Sequence, residues 1–244
     1  MALYVIADLH LSAENKRLCS AFAAFLNKLQ KGDRLIISGD FFNFFVGIDP
    51  YDECQKFIKQ TLLTARQRKI DVFFQHGNRD FLISKKDADY FNFTLLPELF
   101  IDKSGPEPCL ITHGDCLCSN DKKYQEFKAI TKKTWIRKLF FTLPLFVRKK
   151  IAAKLRDDSQ KLTGKGRDPL IYGMVPATLD KILTDSNCSI IIHGHLHQYG
   201  DHYNETPHAK QRFALGDWGE DYSYAKIDAG GFHLIKLPLS KLIN

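Results

Sequence analysis

Residues 3–10, Leu-Tyr-Val-Ile-Ala-Asp-Leu-His, form an apolar, partly β-branched run that ends on an acid and a histidine two positions apart. Such a run reads as a strand. On extended backbone an i, i+2 pair faces one side, so Asp8 and His10 can share one ion. Outward from this stretch the same design recurs four times, an apolar run closed by a short glycine-bearing segment. The closing segments are Gly39-Asp40-Phe41-Phe42-Asn43, Gly77-Asn78-Arg79-Asp80, His113-Gly114-Asp115 and Gly194-His195-Leu196-His197. Strands are predicted at 3–7, 34–38, 70–75, 109–113, 189–193, 211–215, 224–227 and 232–237, and helical spacing fills 16–30, 51–69 and 84–91. Strand and helix alternate early and give way to strands joined by turns. This pattern predicts an α/β sandwich with packed central sheets rather than one doubly wound sheet.

Taken singly, each closing segment is no more than a turn or a helix cap. Together they offer Asp8, His10, Asp40, Asn78, His113, His195 and His197, a donor set of imidazole, carboxylate and amide oxygen. Mixed nitrogen and oxygen donors suit Mn, Fe, Zn, Co or Ni, and the lack of thiolates argues against a structural zinc site. Neighbouring strands would present these donors at the carboxyl edge of a sheet, where open α/β sheets bind ligands. A carboxylate such as Asp40 can bridge two cations, and cations roughly 3.5–4 Å apart can clamp a phosphoryl group and activate water between them. Hydrolysis of a phosphoester or phosphoanhydride is the chemistry that needs this arrangement.

The chain has 244 residues, 44% hydrophobic and 26% charged, enough for one globular core with an embedded insert. Asp8 follows so soon after residue 1 that no secretory signal is expected. The longest apolar stretch, Leu139 to Val147, is about half the roughly 20 residues that span a bilayer. The six cysteines lack paired CxxC spacing, as expected of reduced thiols in a cytoplasm. Charge is unevenly placed: residues 120–167 hold 15 Lys and Arg against 4 Asp and Glu, a net of +11, while the whole chain has +7 and the remainder −4. That segment also carries Trp135, Phe140, Phe141 and Phe146, and Pro144 suits the first position of a second helix. A basic helical hairpin with large aromatic side chains fits the interface of an anionic membrane. A single-strand nucleic-acid groove would instead interleave aromatics with bases along its length.

The five closing segments resemble the calcineurin-like metallophosphoesterases, whose pattern is DxH, GDxx(D/E), GN(H/R)(D/E), H and GHxH. The resemblance implies a four-layer αββα sandwich with one metal on Asp8, His10, Asp40 and His197. It implies a second metal on Asp40, Asn78, His113 and His195, with Asp40 bridging. Asn43 stands where the pattern has an acid. A narrower likeness, to the UDP-2,3-diacylglucosamine diphosphatases of bacterial lipid A synthesis, covers nearly the whole chain. It is carried by ADLHL at 7–11, HGNRDFL at 76–82, HGD at 113–115 with Cys118, LPLFVRK at 143–149, IHGHLH at 192–197 and LGDW at 215–218. The domain division it implies is a core of 1–119 and 168–244 with a helical cap insert at 120–167.

Arg79 replaces the histidine that many relatives carry as general acid. A pyrophosphate leaves as a phosphate of low basicity, so a guanidinium that stabilises charge can serve where protonation is unnecessary. The resemblance further implies catalytic roles for Asp40, Asn78, Arg79 and His195. It implies substrate contacts by Asn78, Arg79, Asp121, Arg156, Ser159, Thr163 and His195, with the place of a family lysine open between Lys165 and Arg167. Phe45, Phe127, Ile151 and Leu155 are candidates for an acyl pocket. The implied reaction is Mn2+-dependent attack of an activated water on the UMP-side phosphorus of UDP-2,3-diacylglucosamine, giving UMP and 2,3-diacylglucosamine 1-phosphate (lipid X). The setting is the cytoplasmic face of the inner membrane, held peripherally to its anionic surface, with no nucleic acid and no obligate protein partner expected. The rivals are another phosphoesterase acting on nucleotides or nucleic acid, and a non-catalytic adaptor with this fold.

Overall fold

Strand and helix alternate through β1 (Leu3–Ile6), α1 (Lys16–Lys28), β2 (Arg34–Ser38), α2 (Glu53–Gln67), β3 (Asp71–Gln75), α3 (Lys85–Phe91) and β4 (Thr94–Leu95) in the computed structural model of the protein, which describes residues 1–163 and 168–243 but not the side chains of 156–163 and 169. Each of the three helices begins on a polar side chain that accepts a hydrogen bond from its first turn, Asn15, Asp52 and Ser84. Such a cap is worth about 1 kcal/mol. The chain continues through β5 (Phe100–Asp102) and β6 (Cys109–Thr112), then enters α4 (Lys122–Thr131), α5 (Thr134–Thr142) and α6 (Leu145–Thr163). It returns by α7 (Pro169–Tyr172) and α8 (Pro176–Ser186) to β7 (Ile190–His193), β8 (Gly200–Tyr203) and β9 (Gln211–Ala214), and ends on β10 (Asp221–Asp228), β11 (Gly231–Pro238) and α9 (Ser240–Ile243).

Two sheets form, in the orders β11-β10-β1-β2-β3-β4 and β5-β6-β7-β9-β8. Strands β1 to β4 are mutually parallel, as are β6, β7 and β9, and the antiparallel strands lie at or beside the edges. Alternation of side chains shows the layers. Leu3 and Val5 of β1 pack with Ile111, Ile190, Ile192 and Phe213 between the sheets. Tyr4 and Ile6 point the other way, into a core with Phe22, Phe25, Ile58 and Leu62 of α1 and α2. Leu110 and Ile191 face outward from the second sheet onto Leu179 and Leu183 of α8. The result is helix, sheet, sheet, helix, the predicted sandwich. The eight predicted strands form with ends shifted by a few residues at most. Strands β4 and β5, of 2 and 3 residues, are unanticipated because runs so short carry no measurable period, and β8, Gly200-Asp201-His202-Tyr203, because it has no apolar run.

Leu143 and Pro144 separate α5 from α6, and the Pro144 carbonyl accepts from the amides of Val147 and Arg148 at 3.0 and 3.1 Å, so the proline starts the second helix. Helices α4 and α5 bury no residue fully. Trp135, Leu139 and Phe146 remain 64%, 61% and 63% exposed. Two bases of the insert pair with the core. Arg148 donates to the carbonyls of Val46 and Leu143, and Lys149 pairs with Asp49, so both hold α6 against the 41–52 segment. Among the described residues no helix is long and apolar enough to cross a membrane.

Candidate metal centre

All seven predicted donors sit just beyond the carboxyl ends of parallel strands, Asp8 and His10 after β1, Asp40 after β2, Asn78 after β3, His113 after β6, and His195 and His197 after β7. Because the sheets stack face to face, these loops meet at one rim and hydrogen-bond to each other. Asp8 N donates to Gly39 O at 3.2 Å, His10 N to Asp40 O at 3.0 Å, Gly194 N to His113 O at 2.9 Å and His195 N to Asp8 Oδ2 at 2.8 Å. Five of the donors have left-handed backbone: φ is 57° at Asp8, 50° at His10, 51° at Asp40, 67° at His195 and 55° at His197. At roughly 1–2 kcal/mol each, this strain is of the order of a domain's whole net stability. It persists only because the loop-to-loop bonds overdetermine it. Close approach demands glycine beside the donors: a Cβ on Gly39 would stand 2.5 Å from His113 Nδ1, and one on Gly194 would stand 2.3 Å from Asp8 Oδ2.

The side chains converge in two overlapping groups, Asp8 with His10 and His197, and Asp8 with Asp40 and His113, their donor atoms within 4.8 Å of one another. Asp8 is the carboxylate common to both. Asn78 Oδ1 lies 3.0 Å from His113 Nε2 and 2.9 Å from His195 Nδ1, completing the second group. The Nδ1 of His113 is 2.9 Å from the Ser38 carbonyl, which can only accept, so Nδ1 carries a proton and Nε2 is the nitrogen turned to the centre.

Electrostatics agree with a cation here. Burial, with Arg79 nearby, pushes His10 down to about 3, and burial, with His113 nearby, takes His195 to about 3, so both are in the lone-pair form that binds metal. Burial would lower His113 too, but Asp40, Asp8 and Asp115 lift it to about 9. Burial alone would raise Asp8, yet the imidazoles of His197, His113 and His10 hold it below the usual carboxylate range. The carboxylates therefore demand positive charge at this rim. His10 Nδ1 is, among the described residues, a buried polar atom with no hydrogen-bond partner, Asp8 Oδ1 has His197 Nε2 at 3.3 Å, and His10 Nε2 and His197 Nε2 face each other at 3.4 Å. A divalent cation fits this donor set.

Several supporting groups escape prediction from sequence. Asp80, wholly buried, ties two ligand loops together: its Oδ2 accepts from Phe41 N at 2.7 Å and its Oδ1 from Gly77 N at 2.8 Å. Burial and the neighbouring Asp40 push it up to about 7. Arg79 braces Asp40, its backbone N 2.9 Å from Asp40 Oδ1 and its Nε 3.3 Å from Oδ2, while Asn43 accepts from the guanidinium at 3.2 Å. The residue in the acid's place thus holds the arginine. Buried Asp115 accepts from Tyr124 Oη of α4 and pairs with Lys128 at 2.6 Å, and the Tyr124 ring lies 6.2 Å from that of His195. Asp80 and Asp115 both fall in the quoted segments, directly after Arg79 and Gly114, and that adjacency was the available signal.

A cleft of about 230 Å³ opens beside Asn78, walled by Phe81, Tyr124, Phe127 and Lys128. Of the acyl-pocket candidates, Phe127 lines it, Ile151 and Leu155 are exposed on α6, and Phe45 is fully buried core. Asp121 caps α4, its Oδ1 accepting from Tyr124 N at 3.1 Å. The side chains of Arg156, Ser159 and Thr163, and the whole of Lys165 and Arg167, lie outside the described residues.

Residues 1–199 match the profile of the family described as calcineurin-like phosphoesterase. A UDP-2,3-diacylglucosamine hydrolase of Tolumonas auensis is 36% identical over 248 residues, spanning 100% of both chains. A protein of the same name from Histophilus somni strain 2336 is 36% identical over 95% of this chain and 98% of its own. One from Escherichia coli O17:K52:H18 is 35% identical over 98% of this chain and 100% of its own.

Proposed function

Because this chain belongs to the calcineurin-like phosphoesterases and, within them, to the UDP-2,3-diacylglucosamine hydrolases, we propose that it cleaves the pyrophosphate bond of UDP-2,3-diacylglucosamine, releasing UMP and 2,3-diacylglucosamine 1-phosphate. The observation that carries this reading is the junction at Asn78, where seven metal-type donors on one side meet a cleft with aromatic walls on the other. A diphosphate needs the first and an acylated sugar the second.

Asp8, His10, Asp40 and His197 would hold one divalent cation, and Asp40, Asn78, His113 and His195 a second, with Mn2+ the proposed metal. Bound there, such a pair supplies Lewis acidity to phosphoryl oxygens and acidifies water. The chain's own residues do the rest. Arg79 donates to the diphosphate and stabilises charge on the departing sugar phosphate, which needs no proton. Asn78 and His195 orient the same group. Tyr124 and Phe127 seat the substrate, with Asp121, Arg156, Ser159, Thr163 and either Lys165 or Arg167 contacting it from the insert.

Residues 120–167 act as a cap on the core of 1–119 and 168–244 and dock on the anionic cytoplasmic surface of the inner membrane. Exposed Trp135, Leu139 and Phe146 support that reading. Mass spectrometry of the products tests the proposal: Mn2+-loaded protein with the diacylated nucleotide sugar in 18O-water should yield UMP carrying the label and unlabelled diacylglucosamine 1-phosphate. Label in the sugar phosphate would overturn the attack at the UMP side, and no cleavage would overturn the substrate.

A further inference from the structure

Beneath the loop of His195 and His197, on the outer face of the second sheet, lies a buried charged network that the proposed reaction does not use. In β7, Ile190 and Ile192 point between the sheets and Ile191 outward, so alternation turns His193 outward as well. In β9, Phe213 points between the sheets, which turns Arg212 outward. The parallel register sets Arg212 beside Ile191, and Arg212 Nη1 comes to 3.0 Å from His193 Nε2. His193 is 0% and Arg212 5% exposed. Glu205, between β8 and β9, closes the outer end. Its Oε1 accepts from Arg212 Nη2 at 2.8 Å and its Oε2 from Nε, so the buried cation is matched by a bidentate acid.

This arrangement dictates the tautomer of His193. A guanidinium only donates, so Nε2 must present its lone pair and the ring proton must sit on Nδ1. Nδ1 is 2.8 Å from the Gly194 carbonyl, which accepts that proton. The same carbonyl accepts from Leu196 N at 2.8 Å, and Gly194 N donates to His113 O at 2.9 Å. Gly194 thus anchors the left-handed turn that follows, with φ of 67° at His195 and 55° at His197. With the other tautomer, a ring lone pair would oppose the carbonyl lone pairs and push the turn outward.

We infer that Arg212 is a positioning residue: by donating to His193 Nε2 it locks the Nδ1–H tautomer, whose proton holds Gly194 and so aims His195 and His197 at the centre. This rests on the two-cation reading above for its effect on metal, and on nothing but the hydrogen bonds for the tautomer. Histidine-labelled, metal-free protein should show His193 as a pure Nδ1–H tautomer in long-range 1H–15N spectra, and Arg212→Met should turn it into a mixture. The same variant should bind Mn2+ about tenfold more weakly, the usual cost of losing a group behind a ligand, with kcat falling and KM little changed. Arg212→Lys, which keeps a donor and the charge, should restore the tautomer and most of the affinity. It is also the variant to read if Arg212→Met does not fold. An Nε2–H tautomer in the unaltered protein, a tautomer insensitive to both substitutions, or unaltered Mn2+ affinity in a folded Arg212→Met would each overturn the assignment. Failure of the unaltered protein to bind Mn2+ would instead remove the two-cation reading, and the tautomer would then decide alone.

Discussion

The rim that gathers the seven donors and the insert that follows it are built on opposite terms. At the rim every donor is tied to a loop from another strand, five sit in left-handed backbone, and burial shifts the charge of the aspartates and histidines. In the insert α4 and α5 bury nothing fully, and Trp135, Leu139 and Phe146 are nearly two-thirds exposed beside lysines. The difference teaches where each part finds its partners. The rim's donors find their partners within the chain, whereas the insert keeps apolar side chains exposed among the described residues. Arg148 and Lys149, spent on Val46, Leu143 and Asp49, fasten the insert to the core, leaving its apolar tip to face outward.

The contrast breaks first at Asp40. Asp40→Ala should cut turnover by about a thousandfold or more, since metal stabilisation amounts to several kcal/mol at about 1.36 kcal/mol per decade. Metal analysis should show loss of bound cation alongside, and near-normal turnover in Mn2+-replete buffer would remove Asp40 from the centre. Arg79→Ala sharpens the division within the rim, because it removes charge stabilisation without removing a ligand. Turnover should fall by about a hundredfold with metal content unchanged, and a parallel loss of metal would recast Arg79 as a brace for Asp40 only. The insert should respond least and in a different assay. Replacing Trp135, Leu139 and Phe146 by serine should weaken sedimentation with anionic vesicles by at least about tenfold while moving stability by no more than about 0.5 kcal/mol per substitution, as for exposed sites. Vesicle binding that survives the triple change would place the membrane contact elsewhere.

The donors were legible because their types are restrictive and their positions repeat one grammar, a strand followed at once by a metal-type side chain. The main strands were legible for the related reason that residues such as Leu35–Ile37 and Ile190–Ile192, buried on both faces, spell continuous apolar runs. What stayed hidden depends on direction rather than type. Asp80 looks like any turn acid until its carboxylate is seen receiving amides from two loops. Arg148 looks like a headgroup ligand until its guanidinium turns inward to Val46. Phe45 reads equally as pocket wall or core, and packing against Phe42 and Phe91 makes it core. Arg212 gave no signal at all, because its role rests on a register between β7 and β9 that no local pattern encodes.

The contact of Asp8 with His195 joins positions 187 residues apart, and β1 is flanked on one side by β10, which lies later still. A chain emerging from the ribosome makes Asp8, His10 and Asp40 first, yet these have no rim to stand on until β7 and β10 have been synthesised and inserted. Assembly of the rim is thereby deferred until β10 has been made, and a nascent chain that stops short of it holds these side chains apart.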